Sequence, residues 1–328
     1  MPAPVEITPW YWAGFIVIVL ILLALDLGVF HRRAHVVSMK EALSWTAVWV
    51  ALALIFAGAI AWLRDKHEAT QFFTGYFIEL SLSMDNVFVI ALVFSYFRVP
   101  PEFQHRVLFW GVVGALLMRG LMIWAGVQLI NRFEWLLYCF GAFLLFSGLK
   151  MMLKRDGNED PEKGLVVRAA RKILPISGEF NGQHFTTRID GRKMFTPLFL
   201  VLIVVETTDL LFAVDSIPAI FGVTRKSFIV FTSNIFAILG LRSLYFLLAG
   251  AMGLFRYLKI GLSVVLVFIG VKMLIDPHKT MPPKWFQYDL PDMGALLVVV
   301  IIIALSILAS MIASKIEEGK NRTTPGPS

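Results

Sequence analysis

Long apolar stretches separated by short polar gaps set the pattern of this chain. A helix needs about 20 apolar residues to cross the hydrocarbon core of a bilayer. Nine stretches reach that length, at roughly 10–30, 43–63, 72–97, 107–130, 134–153, 197–220, 228–252, 257–275 and 293–314. The pattern predicts an all-α polytopic membrane protein with nine transmembrane helices, residues 1–328 forming a single membrane domain. The first stretch does not read as a secretory signal, because Arg32 and Arg33 follow it and no Lys or Arg precedes it. The gap at 154–194 is longer than the others. Its segment PEKGLVVRAARKIL (161–174) reads as a short basic amphipathic helix that stops before Pro175. In HFTTRIDGRKMFTP (184–197), two β-prone runs flank Asp190-Gly191, which is a hairpin signal.

The apolar pattern also repeats. FSGLKMML (146–153) aligns with FIGVKMLI (268–275), placing Gly148 on Gly270 and Lys150 on Lys272. LLMRGLM (116–122) aligns with ILGLRSL (238–244), bringing Arg119 within one residue of Arg242. SMDNVF (83–88) aligns with TTDLLF (207–212), pairing Asp85 with Asp209. Spans 3–5 (72–153) and 6–8 (197–275) thus read as two copies of a three-helix unit. Three is odd and the connecting gap holds no span, so the second copy is expected to enter from the opposite face. Inverted repeats of this kind mark transporters whose site lies near the midplane.

Polar residues interrupt the apolar pattern at specific places. On insertion scales an acid at a span centre costs about 2.5–3.5 kcal/mol, so such residues face a partner or an aqueous path. In ELSLSMDN (79–86), Glu79, Ser83 and Asn86 share one stripe of a helix, with Asp85 about 100° round from Asn86. In VETTDLLFAVDSIPAIF, Glu206, Asp209 and Ser216 share a face that Asp215 does not fit. Pro218 cannot donate to the carbonyl of Val214, so a helix break beside Asp215 is expected, re-aiming that carboxylate. Five carboxylates, an amide and several hydroxyls are hard oxygen ligands, with no thiolate near. They suit Mg²⁺, Ca²⁺ or Mn²⁺ and argue against zinc or copper. Arg119 and Arg242, near the centres of spans 4 and 7, each need a carboxylate. They are read either as structural ion pairs or as counter-charges that neutralise the acids when no metal is bound.

Composition and charge refine the picture without changing it. The chain is 58% hydrophobic with net charge +7. Its basic residues gather in loops, which points to membrane orientation and lipid contact and away from nucleic acid. With the N-terminus outside, the inner segments hold 19 Lys and Arg against 7 in the outer ones, so an N-out, C-in topology is expected. The single cysteine, Cys139, excludes an internal disulfide and a thiolate metal cluster.

ELSLSMDN, VETTDLLFAVDSIPAIF, SNIFAILGLRSLYFLLAG and FIGVKMLI resemble the TerC/Alx family of bacterial inner-membrane proteins, over nearly all of residues 10–314. The resemblance implies a bacterial plasma-membrane protein that exports or handles Mn²⁺, with tellurite resistance as the historical name. It also implies that Glu79, Asp85, Asn86, Glu206, Asp209 and Asp215 bind the metal. The expectation is a carrier and not an enzyme, with Mn²⁺ as the transported ion and Ca²⁺ still open. An intramembrane protease dyad is the weaker alternative, because the Gly-x-Gly-Asp signature is absent. A non-transporting assembly or scaffold protein, docking partners on the 154–194 loop, is the other.

Overall fold

The computed structural model describes residues 9–30, 38–153, 165–189, 191–249, 257–275, 288 and 290–323. Eleven helices and one hairpin follow in chain order among them. The helices are α1 (Pro9–Phe30), α2 (Met39–Leu63), α3 (Lys66–Tyr96), α4 (Pro101–Arg132), α5 (Leu136–Leu153), α6 (Leu165–Ile173), α7 (Pro197–Phe221), α8 (Ser227–Leu239), α9 (Leu241–Ala249), α10 (Leu258–Ile275) and α11 (Asp292–Thr323). Between α6 and α7, β1 (Thr186–Ile189) pairs antiparallel with β2 (Arg192–Phe195).

Local chemistry explains several of the boundaries. Ser38 caps α2, its Oγ accepting from the Glu41 amide at 3.3 Å, the first half of a capping box. Pro101 and Pro197 stand in the first turns of α4 and α7, where the missing N–H costs nothing. The hairpin closes from Ile189 to Arg192 with Gly191 at φ +75°, a conformation glycine adopts without strain; Asp190 lies outside the described residues.

Among the described residues seven helices are long and apolar enough to cross a membrane, and α8 with α9 makes an eighth if that pair, bent by 42°, counts as one span. The described apolar stretch of α1, Pro9–Leu25, is shorter. Of the nine spans expected from the pattern, seven or eight meet these criteria among the described residues. The pattern read 228–252 as one continuous span, whereas the helix bends at Gly240. The break expected at Pro218 is not there. α7 runs through that residue and ends one turn later at Phe221. A proline this near a helix end removes one backbone bond from a turn that is already closing.

α3 lies at the centre: 61% of its apolar stretch is buried, against 17% for α2. It packs on α2, α7, α8, α9 and α11, while α4 packs on α7 and α8. α5 and α10 form a pair of their own through glycines. A Cβ on Gly141 would lie 3.1 Å from the Gly270 carbonyl oxygen, and one on Gly148 would lie 2.8 Å from that of Ser263. The two backbones therefore touch, and the helices run antiparallel. The insert packs on the start of α4, with Gln183 donating to the Glu102 carbonyl at 3.3 Å and Arg106 over the Phe185 ring.

Candidate functional site

The stripe on α3 meets α4, α7 and α8 in the middle of the bundle. Gly75, one turn before Glu79 on the same face, lets α8 approach, since a Cβ there would sit 2.8 Å from Ser233 Oγ. The neighbouring residue on α8, Asn234, then reaches Glu79. On the other side Asn86 and Asp209 span the α3–α7 contact.

Arg119 of α4 is the hub. Its guanidinium donates to Glu79 Oε1, to both Asp209 oxygens at 2.8 and 3.1 Å, and to Ser216 Oγ at 3.3 Å. The Asp209 contact is the parallel two-bond geometry that planar guanidinium makes with carboxylate. Two carboxamides flank the arrangement. Asn86 Nδ2 donates to Asp209 Oδ1 at 2.8 Å, and Asn234 Nδ2 donates to Glu79 Oε2 at 2.9 Å. The result is a chain of five side chains, amide–carboxylate–guanidinium–carboxylate–amide, drawn from four helices. All five are buried, Glu79, Asn86 and Asn234 completely.

The charges do not cancel: two carboxylates and one guanidinium leave a formal −1. Nor are the hydrogen bonds complete. Asn86 Oδ1, Asn234 Oδ1 and Glu206 Oε2 are buried without a partner among the described residues. A buried acceptor left unpaired costs about 1–3 kcal/mol, so these oxygens are available to a further partner. Among the described residues no group of three or more His, Cys, Asp or Glu is arranged to hold a metal. The Arg119 guanidinium lies between Glu79 and Asp209 and bonds to both.

The other expected residues lie outside this chain of bonds. Glu206 fills a niche against Gly114 of α4, where any Cβ would overlap its carboxylate. Asp215 accepts from Ser147 Oγ of α5 at 2.9 Å. Because α7 is unbroken, six residues of helix put Asp215 about 240° round from Asp209. Asp85 is half-buried on α3, and Arg242 is buried on α9 just past the bend at Gly240. Sequence reasoning missed Asn234, Ser147 and Gly114. The signal for Asn234 was a carboxamide inside an apolar span, one of the few polar side chains there without a hydroxyl-to-own-helix alternative.

The profile of the integral membrane protein TerC family matches residues 64–318. A membrane protein of Myxococcus xanthus is 53% identical over 308 residues, 94% of this chain and 94% of that protein. An Escherichia coli K12 protein carrying the name Alx, for a proposed membrane-bound redox modulator, is 51% identical over 277 residues, 82% of this chain and 86% of its own. A Rickettsia felis membrane protein is 36% identical over 301 residues, 92% of this chain and 97% of its own. No solved structure matches.

Proposed function

The chain belongs to the integral membrane protein TerC family, and we propose that it carries divalent metal cations across the membrane, Mn²⁺ first among them and Ca²⁺ the alternative cargo. The observation that carries this reading is the Arg119 bridge between Glu79 of α3 and Asp209 of α7. A guanidinium shared by two buried acids, beside unpaired oxygens, is a resident cation that a transported one can replace. Exchange for a divalent ion brings the two carboxylates and their cation from −1 to neutrality.

The reading includes the inverted repeat and its ninth helix, α1. The glycine seam supports it: in the alignment Gly141 falls on Ser263 and Gly148 on Gly270, and the contacts pair Gly141 with Gly270 and Gly148 with Ser263. Exchanging the two copies maps this contact set onto itself, as a two-fold axis requires. Asn86 with Asp209 and Gly75 with Ile220 make α3 and α7 antiparallel as well. Alternating access then rocks one repeat against the other about α3 and α7. The protein sits in the bacterial plasma membrane with its N-terminus outside, and the 154–194 insert faces the cytoplasm.

Redox chemistry by the chain itself, which the name of the Alx relatives raises, is less well supported. Cys139 is the single cysteine, so no internal dithiol can cycle. Mn²⁺ uptake into inverted vesicles tests the proposal. Asp209→Asn and Asp85→Asn are each expected to abolish it at unchanged membrane insertion. Wild-type uptake in both variants rejects the site. A reporter fused after Ser328 is expected in the cytoplasm, and one fused ahead of Trp10 is expected outside.

A further inference from the structure

Asn86 and Asn234 are chemically matched. Each is completely buried, each gives its Nδ2–H to one of the two acids that Arg119 holds, and each leaves its carbonyl oxygen unpaired. The assignment of Nδ2 to the carboxylate side follows from chemistry, because an ionised carboxylate only accepts. A buried carboxamide need not be left in this condition. Gln71, near the start of α3, donates to Asp292 at 2.8 Å while its Oε1 accepts from Thr224 at 2.8 Å.

The carboxamide has a property that no other neutral side chain shares. Rotation by half a turn about its terminal bond exchanges a donor for an acceptor at nearly constant shape, and that torsion is broad and two-fold. When Arg119 holds Glu79 and Asp209, each amide is best placed with N–H toward its carboxylate. When a divalent cation replaces the guanidinium, the same amide turned over offers its carbonyl oxygen to the cation. Amide carbonyls are accepted ligands of hard divalent ions.

Resting on the carrier reading, we propose that Asn234 joins Asn86 as an oxygen ligand of the transported divalent cation, through the carbonyl oxygen that the Arg119-bridged arrangement leaves unpaired. Asn234 thereby brings α8 into the cation path, which the acids alone confine to α3 and α7. The two amides stand at opposite ends of the five-residue chain, one beside each acid.

Mn²⁺ binding to the purified full-length protein, followed by the paramagnetic signal of free Mn²⁺, tests this independently of transport. Asn234→Leu, close in size but with no polar atom, is expected to weaken Mn²⁺ binding about 10–100-fold. Asn234→Asp keeps an oxygen and removes the N–H donor, so it is expected to bind Mn²⁺ at least as tightly as wild type. If Asn234 serves only to hold Glu79, the Asp variant loses binding as the Leu variant does, and the inference is overturned. Unchanged affinity in Asn234→Leu also overturns it. Should the Leu variant fail to fold, the Asp variant alone decides between these outcomes. Wild-type protein that binds Mn²⁺ but does not move it into proteoliposomes rejects the carrier reading and leaves the ligand assignment standing. Wild-type protein that binds no Mn²⁺ rejects both.

Discussion

Two polar networks join the helices of this bundle, and they are finished differently. The first, at the adjoining ends of α2, α3, α8, α10 and α11, has every acid matched. Glu68 accepts from Arg64 and, at 2.8 Å, from Lys226, and Asp292 accepts from Gln71 at 2.8 Å with His67 at 3.4 Å. Gln71 is satisfied at both ends of its amide. The second, around Arg119, leaves the carbonyl oxygens of Asn86 and Asn234 unpaired among the described residues, and its two carboxylates outnumber its one guanidinium. The same chain therefore closes its polar groups where they tie helix ends together and leaves them open at midbundle. Satisfied networks rigidify, whereas partly satisfied ones hold an arrangement that a ligand can displace. The difference separates a fastening from a site.

The largest expected effect comes from removing the hub of the open network. Arg119→Ala leaves Glu79 and Asp209 buried without their cation, and breaking a buried pair costs about 3–5 kcal/mol. Arg119→Lys is expected to recover part of this, because an ammonium keeps the charge but not the two parallel bonds to Asp209. Thermal melts of the detergent-purified variants should rank wild type above Lys and Lys above Ala. Mn²⁺ should raise the melting temperature of the Ala variant more than that of wild type, since the cation then meets no competitor. An Ala variant as stable as wild type, with no response to Mn²⁺, would erase the distinction between the networks.

Gln71→Ala is the matching probe of the closed network. It removes the bonds to Asp292 and Thr224 together, at about 1–3 kcal/mol for the groups left unpaired. The expected result is a lower melting temperature with an unchanged KM for Mn²⁺ uptake. A raised KM would move these residues from fastening to pathway.

Part of the open network is legible in the amino-acid sequence. The period of the helix places Glu79, Ser83 and Asn86 on one stripe, and the price of an arginine at a span centre demands an acid for Arg119. The period could not say which acid, because that depends on how α4 and α7 cross. Asp215 illustrates the failure: with a break at Pro218 it would join the other acids, but the unbroken α7 turns it toward Ser147. Asn234 was hidden because its role depends on α8 closing against α3 at Gly75, a tertiary contact with no local signature. The bend at Gly240 escaped the hydropathy pattern for a similar reason, since α8 and α9 are both apolar and a change of direction leaves composition untouched.

A smaller effect is expected at Gly114, which decides whether Glu206 belongs to the open network. A Cβ at this position overlaps the Glu206 carboxylate, whereas one at Gly111, a turn earlier, meets Val205 at an ordinary 3.4 Å. Gly114→Ala should therefore displace Glu206 and slow Mn²⁺ uptake severalfold, with Gly111→Ala close to wild type. The displaced group is the far end of a flexible side chain, so the melting temperature of both should stay near that of wild type. Equal uptake in the two variants would place Glu206 outside the path.

The smallest effect belongs to Lys226. Its side chain is 45% exposed, and its partner Glu68 keeps both bonds to Arg64 when the ammonium is removed. Exposed ion pairs contribute about 0.2–1 kcal/mol and are screened by salt. Glu68 is itself 3% exposed, so the pair is wet on one side and dry on the other. Lys226→Ala should lower stability by less than about 1 kcal/mol, and the gap to wild type should narrow between low salt and about 1 M salt, where the screening length falls to about 3 Å. Arg64→Ala, which strips two bonds from the buried carboxylate, should be worse at every salt concentration. If Lys226→Ala instead abolished Mn²⁺ uptake while leaving the melt unchanged, the closed network would be part of the transport path, and the contrast between a finished and an unfinished set of polar groups would no longer locate the site.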